Sequence, residues 1–215
     1  MAETLKNKDI IDFLIKSNKA TGIIDGLKIK YRPLICPFID LINKLKPGEK
    51  VADIGCGSGQ FLLLLTRFAE PSEILGLEIS QRLIDNANKL FENQKINYHF
   101  STYNGIDIPI ELHNMDKVYL IDVLHHVPKN TQLQFIKNIC SILKPGATLV
   151  LKDIDASNPL VYLNKVHDII FAREIGNEIS FTKARDLLQQ NGLNIIENYK
   201  HTMYAYPHYT IVAKK

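Results

Sequence analysis

The chain has 215 residues, of which 26 are lysine or arginine and 23 are aspartate or glutamate, so its formal net charge is +3 at pH 7. This near-neutral balance, without a basic stripe of interleaved aromatic residues, gives no indication of a general nucleic-acid-binding surface. Hydrophobic residues make up 46% of the chain, which is typical of one globular domain with a sizeable core.

The start of the chain and its cysteines indicate a cytoplasmic protein. The first eight residues, M-A-E-T-L-K-N-K, lack the apolar core of a signal peptide. No apolar run approaches the roughly eighteen residues that a membrane span needs. Cys36, Cys56 and Cys140 are odd in number and widely spaced, so we predict neither a disulfide framework nor a cysteine metal site.

Two helix candidates come first in chain order. Ile10–Ile15 is a short apolar-rich run, and a second candidate leads from Pro33 to Ile42. Both lie in residues 1–46, which precede the alternation of strand-like and helical runs that begins at Lys50.

A glycine-rich turn follows. The run V-A-D-I-G-C-G-S-G (residues 51–59) predicts a buried strand ending in the acidic Asp53, a sharp turn, and a helix over Gln60–Phe68. The helix start points free N–H groups at the turn, which is typical of a nucleotide-cofactor site. A dinucleotide fingerprint, G-x-G-x-x-G, fits poorly because Gln60 occupies the place of its third glycine.

The next strand also ends in an acid. Ile74–Glu78 predicts a strand, Ser80 a helix N-cap, and residues 81–91 a helix. Glu78 lies a little over twenty residues beyond the turn, a spacing at which a carboxylate accepts hydrogen bonds from ribose hydroxyls. The alternative is a surface glutamate at a strand end.

Three further strands are predicted with helices between them. Ile96–Phe100 is a strand-like run, and Met115–Pro128 contains a strand that leads into D-V-L-H-H-V. A helix over residues 131–143 ends at the Pro145-Gly146 turn, and another strand runs to Asp153. The alternation predicts a parallel sheet with crossover helices.

The C-terminal part contains a long connection and two closing strands. Residues 154–181 exceed a minimal connection, and we predict that they form a substrate lid, because long connections in compact domains are usually functional. Residues 194–201 and 206–213 predict the last two strands.

The order Asp-x-Gly-x-Gly-x-Gly in residues 53–59 resembles motif I of class I S-adenosylmethionine-dependent methyltransferases. The run D-V-L-H-H-V is similar to motif IV of their small-molecule members, and four such matches cover residues 50–153. The resemblance implies an α/β, Rossmann-like, seven-stranded mostly parallel sheet in the order 3-2-1-4-5-7-6, with the last strand antiparallel and helices on both faces. It also implies one domain over residues 1–215, in which residues 1–46 form a helical cap.

The resemblance further implies which residues bind S-adenosyl-L-methionine. It places Asp53 at the ammonium group of the cofactor, and Glu78 with its neighbour Ile79 on the ribose side. Asn104 stands where the family has an aspartate that accepts a hydrogen bond from the adenine amino group. The remaining predicted cofactor-binding residues lie in the glycine turn or after the fourth strand: Gly55, Cys56, Gly57, Gly59, Asp122 and Val123.

Histidines are the candidates for a catalytic base, because the pKa of histidine lies near the operating pH. His126 is the first choice and His125 the next, and we expect their adjacent side chains to point apart. His167 and His208 are further candidates, although His208 also fits simple strand pairing. A structural role for both central histidines, or a metal site that adds His167 and Asp168, are alternatives, and we predict no metal.

The sequence therefore predicts an S-adenosylmethionine-dependent methyltransferase for a small, partly hydrophobic acceptor, methylated on oxygen, nitrogen or carbon. The run N-P-L-V-Y (residues 158–162) follows the fifth strand rather than the fourth, so it does not indicate amino methylation. Three alternatives stay open: a nicotinamide-dependent oxidoreductase, a non-catalytic cofactor-binding protein, and a tRNA or protein methyltransferase. A homodimer is also left open.

Overall fold

The structure is a computed structural model that describes residues 5–17, 32, 34–161 and 176–215. Seven strands form one sheet: β1 (Lys50–Ile54), β2 (Glu73–Glu78), β3 (Asn97–Thr102), β4 (Lys117–Ile121), β5 (Thr148–Ile154), β6 (Asn194–Met203) and β7 (Tyr206–Lys214). Their spatial order is β3-β2-β1-β4-β5-β7-β6. This confirms the predicted strand order.

Strand direction follows the connections. β1 pairs in parallel with β2 and β4, and the pairs β2–β3 and β4–β5 are parallel too. β7 runs antiparallel to both β5 and β6, as predicted. Parallel neighbours need long crossover connections, which place helices on the faces of the sheet.

Six helices are described: α1 (Asn7–Ser17), α2 (Phe38–Ile42), α3 (Gln60–Phe68), α4 (Gln81–Phe91), α5 (Gln132–Ile142) and α6 (Phe181–Gln190). Short 3-10 turns cover Ile110–Asn114 and Leu124–His126. The predicted bounds of α3 and α4 are confirmed, and those of α5 are right to within one residue at each end.

The sheet divides the core into two clusters. One cluster lies against α1 to α4 and includes Phe61 and Tyr119, whose rings meet edge to face at 5.0 Å between centroids. The other lies against α5 and α6 and includes Phe135 and Tyr209. All five residues of β4 are buried because both faces of this central strand are covered.

The N-terminal helices pack on α3. Residues Phe61–Leu65 of α3 are all buried, since the helix lies between the sheet and the N-terminal segment. Phe38 stacks on Phe61 at 5.5 Å, and Phe13 meets Phe68 edge to face at 5.6 Å. The predicted helix at residues 10–15 extends over all of α1.

Pairing corrects several predicted strand bounds. β1 continues one residue past Asp53, because Ile54 pairs with both neighbouring strands. β3 begins at Asn97 rather than Ile96, because its register is set against Glu73 of β2. β6 extends beyond its predicted end, because Met203 still pairs across the tight turn into β7.

Candidate functional site

The glycine turn after β1 has the backbone that its sequence predicts. Gly55, Gly57 and Gly59 all have positive φ, at +77°, +56° and +77°, a region that glycine enters without steric cost. A Cβ on Gly55 would lie 2.3 Å from Cγ2 of Val123, so two of the predicted residues are in close contact. Among the described residues, a Cβ on Gly57 would meet no atom within 4 Å, so this peptide faces open space in the described structure.

Asp53 is the most unusual group beside the turn. Its side chain is 4% exposed, and its Oδ1 has no hydrogen-bond partner among the described residues. Burial raises the pKa of Asp53 to about 8, an effect that Arg32 opposes and Glu78 reinforces. A buried carboxylate without a partner is costly, and a cationic ligand group would relieve that cost.

Glu78 fastens the turn to the end of β2. Its Oε2 accepts from the backbone N–H of Gly57 at 3.0 Å, and its Oε1 accepts from those of Ile79 and Ser80 at 2.8 and 3.2 Å. The carboxylate therefore has a structural role that the sequence did not predict, and its binding of ribose stays a prediction. Ser80 is the predicted N-cap of α4, but its side chain makes no capping hydrogen bond.

Cys56 and Ile79 contribute in different ways. Cys56 is buried, and burial raises the pKa of its thiol, with Asp53 and Glu78 adding to the effect. This environment disfavours a nucleophilic thiolate and agrees with a backbone role. Ile79 is 66% exposed, and its Cγ2 lies 3.6 Å from the position a Cβ would take on Gly105. The loops after β2 and β3 thus flank one space.

Asn104 sits in the loop after β3 in a self-contained turn. Its Oδ1 accepts from the backbone N–H of Ile106 at 2.9 Å and of Asp107 at 2.8 Å, and its Nδ2 donates to the Asp107 carboxylate at 2.7 Å. Both lone pairs of the amide oxygen are engaged. Binding of adenine by this oxygen, which stays a prediction, would require the turn to rearrange.

Asp122 follows β4 with a left-handed backbone, at φ 55°. Its Oδ1 lies 2.6 Å from Nζ of Lys152 on β5. Burial would raise the pKa of Asp122, but the charge of Lys152 outweighs this and holds the pKa well below its usual range. The sequence did not predict Lys152, although a lysine within the apolar run L-V-L-K is a recognisable signal.

His125 forms a buried pair with an acid that the sequence did not single out. Its Nδ1 lies 2.5 Å from Oδ1 of Asp153, and its backbone N–H donates to Oδ2 at 3.2 Å. Asp153 is 1% exposed and also accepts from the backbone N–H of Ile154. A neutral His125 that donates through Nδ1 carries its basic lone pair on Nε2.

His126 is exposed and lies beside its neighbour. The centroids of the His125 and His126 rings are 4.0 Å apart, with the rings tilted by 45°. The expectation that the two side chains point apart was wrong, because both residues belong to one tight 3-10 turn. His167 and Asp168 lie outside the described residues.

Asp122, His125 and Asp153 each place one ligand atom within 4.8 Å of the other two. Such a group is able to hold a metal ion, yet Lys152 already bonds to one carboxylate and the imidazole to the other. We interpret the group as an ion-pair network in which Lys152 supplies the positive charge. The absence of a metal site stays a prediction.

The described ends of the predicted lid are anchored near the histidines. Asp155 accepts from the backbone N–H of Phe181 at 3.1 Å and from Nζ of Lys200 at 2.8 Å. Buried Gln132 donates to the carbonyl of Asn177 at 2.7 Å. Both ends of residues 154–181 are therefore held at the same edge of the sheet, and the lid function itself stays a prediction.

Two histidines of the final strands lie near Lys152, and His208 is buried whereas His201 is partly buried. His208 is 2% exposed, and burial together with the Lys152 ammonium lowers its pKa to about 3. Burial also lowers the pKa of His201, which lies opposite His208 on β6. The sequence named His208 as one candidate base, and it gave no signal for its pairing with His201.

The chain matches the family model described as "Methyltransferase domain" over residues 45–192. An O-methyltransferase of Pyrenophora dematioidea is 25% identical over 74% of this chain and 60% of its own length. A ubiquinone biosynthesis O-methyltransferase of Coxiella burnetii is 30% identical over 64% of this chain and 53% of its own length. The chain thus spans between about half and three fifths of the length of these two curated relatives.

A solved structure shows the same fold. The magnesium protoporphyrin IX methyltransferase of Synechocystis PCC 6803, with bound SAH (S-adenosylhomocysteine), has a TM-score of 0.69 at 18% identity and covers 97% of this chain and 95% of its own. Within the part of the chain that the structure describes, no helix combines the length and apolar character required to cross a membrane.

Proposed function

The chain belongs to the class I S-adenosylmethionine-dependent methyltransferases, and from this premise we propose that it transfers a methyl group to an oxygen atom of a small, partly hydrophobic molecule. The observation that carries the proposal is Oδ1 of Asp53, which has no hydrogen-bond partner among the described residues and lies beside a glycine turn where they leave open space at Gly57. Oxygen is favoured because both curated relatives are named O-methyltransferases.

The residues present fit this cofactor. Asp53 offers a buried anionic oxygen to its ammonium group, and the open face of Gly57 leaves room for its tail and sugar. Glu78 keeps acceptor capacity on Oε2, which accepts only one of its three backbone bonds, and exposed Ile79 offers an apolar face to the base. When bound, S-adenosylmethionine supplies a methyl group that its sulfonium has already activated.

The protein's task is then to place the acceptor oxygen in line and to remove its proton. We assign the proton acceptor to His125, the second choice from sequence, because Asp153 fixes its ring and leaves the basic lone pair on Nε2. His126, the first choice from sequence, is exposed to solvent, and its ring packs on that of the buried His125.

Apolar side chains at the carboxyl edge support a partly hydrophobic acceptor. Ile154, Val161 and Tyr206 form a small buried cluster, against which Ile35 packs. The cluster lies at the end of β5, where ligands bind in open α/β sheets. Other apolar residues of the predicted lid, Tyr162 and Phe171 among them, lie outside the described residues.

The test begins with cofactor binding. Calorimetry with S-adenosylhomocysteine should show binding to the natural protein and about hundredfold weaker binding to Asp53→Asn, because the ammonium loses its buried counter-charge. Asp186→Asn is the matched control, since Asp186 is a surface residue of α6 that pairs only with Arg185 among the described residues. Absence of binding to the natural protein would overturn the proposal.

Transfer is tested next with S-adenosylmethionine labelled in its methyl group and a panel of phenols and alcohols. We expect label on oxygen, identified by mass spectrometry of the product. Asp153→Asn should lower the turnover by about a hundredfold without changing cofactor affinity, because His125 loses the partner that fixes its tautomer. Cofactor binding without transfer to any acceptor would favour the non-catalytic alternative.

A further inference from the structure

A second polar group occupies the carboxyl edge beyond the ion-pair network. Lys152 pairs in register with Ile121, the last residue of β4, and His208 pairs with Ile154, the last residue of β5. His201 lies directly opposite His208. The three polar side chains therefore stand at the edge of the sheet where open α/β proteins bind their ligands.

The strand register places this group on the same face as Asp53. Asp53 pairs with Tyr119, which pairs in turn with Val150, and Lys152 is two residues further along the same strand. Paired residues, and residues two apart, point to one face. Neighbouring strands lie ~5 Å apart, so β5 is ~10 Å from β1. At this distance, the group that contains Lys152 lies beyond the amino-acid tail of a cofactor bound at Asp53.

Three of the four imidazole nitrogens of this group are buried and have no hydrogen-bond partner among the described residues. Nε2 of His208 lies 2.7 Å from the carbonyl oxygen of Ile35, and a carbonyl only accepts, so this nitrogen carries the hydrogen. Nδ1 of His208 then presents a lone pair, and it has no hydrogen-bond partner in the described parts of the chain. The same holds for both nitrogens of His201. Buried polar atoms of this kind need a ligand or water.

The local charges cancel. Lys152 and Asp122 form a close ion pair, and the lowered pKa values of His201 and His208 keep both rings neutral. A ligand with a net charge would be buried here without a counter-ion, at a large desolvation cost. A hydroxyl group suits the site, because it donates to an imidazole lone pair and accepts from an imidazole N–H.

We propose that Lys152, His201 and His208, here called the acceptor subsite, bind a hydroxyl group of an uncharged acceptor molecule, with Nδ1 of His208 accepting its hydrogen bond. The ring of Tyr206 lies parallel to that of His208 at 6.2 Å, and Ile154 packs on Tyr206. This surrounding favours a hydroxyl carried on an aromatic ring. The inference rests on the proposed function and names the acceptor class for it.

The test uses phenol and catechol as probes and the full chain labelled with 15N in its histidine rings. Either probe, at millimolar concentration, should shift the Nδ1 signal of His208 and the ring signals of His201. Anisole and 1,2-dimethoxybenzene are the matched probes without a hydroxyl hydrogen, and they should bind about tenfold more weakly. S-adenosylhomocysteine binding is measured in parallel by calorimetry.

Two variants separate ligand binding from folding. Neither ring nitrogen of His201 has a hydrogen-bond partner among the described residues, so His201→Phe removes no such bond and its melting temperature should be unchanged or higher. It should nonetheless bind catechol about tenfold more weakly. His208→Phe should lose more affinity, but it also removes the donor to Ile35. His99→Phe, on the exposed face of β3, is the matched control and should bind normally.

The outcomes distinguish this inference from the proposed function. Binding of S-adenosylhomocysteine without any probe-induced shift at His201 and His208 overturns the acceptor subsite and leaves the methyltransferase proposal standing. Shifts at these rings without S-adenosylhomocysteine binding support the subsite and overturn the proposed function. Equal probe affinity of His201→Phe and His99→Phe shows that the rings are structural, which also overturns the subsite.

Discussion

The two halves of the carboxyl edge use opposite electrostatic arrangements. On the cofactor side, at the ends of β1 to β3, Asp53 is buried, and its Oδ1 has no hydrogen-bond partner in the described part of the chain. On the acceptor side, at the ends of β4 and β5 and the start of β7, two buried acids have partners: Asp122 pairs with the Lys152 ammonium, and Asp153 is hydrogen bonded to the His125 ring. Among the described residues, the buried side-chain atoms without a hydrogen-bond partner there include nitrogens of the neutral His201 and His208 rings.

This difference indicates which kind of ligand group each half can bind. An unpaired buried carboxylate is stabilised by a cation. Acids that already have partners, together with neutral imidazoles, are suited to an uncharged hydrogen-bonding group. Removing a charge should therefore have opposite effects on the stability of the unliganded protein in the two halves. That contrast is directly measurable.

The largest effect is expected on the acceptor side. Lys152→Met should lower the free energy of unfolding by about 3 kcal/mol, because it leaves Asp122 without its partner in a largely buried site. Lys144→Met is the control, since the Lys144–Asp116 pair has the same 2.6 Å distance but is about a third exposed on both sides. It should cost less than about 1 kcal/mol. Urea unfolding measures both.

A second substitution sharpens that result. Adding Asp122→Asn to Lys152→Met should restore part of the lost stability, because the unpaired charge is then removed. Equal losses for Lys152→Met and Lys144→Met would show that burial of the pair is unimportant, and the contrast between the two halves would fail.

The cofactor side should respond with the opposite sign. Burial raises the pKa of Asp53 from 3.8 to about 8, so the folded protein holds a proton there at neutral pH, whereas the unfolded chain releases it. This proton release favours the unfolded chain. Asp53→Asn has no proton to release, so it should raise the free energy of unfolding by about 2 kcal/mol at pH 7. Asp186→Asn should change it by less than about 0.5 kcal/mol. Destabilisation by Asp53→Asn would contradict the contrast.

The two halves meet where Gly55, after β1, contacts Val123, after β4. Gly55→Ala should cost about 1.5 kcal/mol more than Gly48→Ala, because both glycines have φ near +80° but only the Cβ at Gly55 meets Val123. Thermal melts compare the two. Val123→Ala should rescue most of the difference by removing the colliding Cγ2, and no rescue would show that the contact is not the cause.

The last prediction concerns the pH dependence of ligand binding rather than a change in stability on substitution. The stability linked to the Asp53 proton is present in full below pH 3.8 and is lost as the pH rises through about 8. A cationic ligand needs the ionised form, so binding of S-adenosylhomocysteine should release a proton. Its affinity should rise about tenfold per pH unit between about pH 6 and about pH 8. Calorimetry at several pH values tests this, and Asp53→Asn should show a much flatter profile.

The fold and the cofactor side were predictable because their signals lie in consecutive residues. The glycines after β1 specify a left-handed turn by themselves, and α3 and α4 follow from the spacing of their apolar residues. The internal bonds of Asn104 and Glu78 were not predictable, because backbone amides compete for side-chain oxygens only once the loops are placed.

The acceptor side depended on pairing between distant parts of the chain. His125 meets Asp153 because β4 and β5 are neighbours, although the two residues are 28 positions apart. Lys152 and His208 come together only after β7 inserts antiparallel beside β5. A sequence pattern shows which residue types are present. It does not show which strands, far apart in the chain, become neighbours in the sheet.

By itself, the sequence determined the strand and helix pattern, the glycine turn and the family, since local backbone preferences and apolar periodicity are properties of neighbouring residues. Only the tertiary structure decided which buried groups have partners. Pairing and burial depend on strand order and register, and these are set by packing across the whole sheet. That is why the unpaired oxygen of Asp53 and the unpaired nitrogens of His201 became visible only in three dimensions.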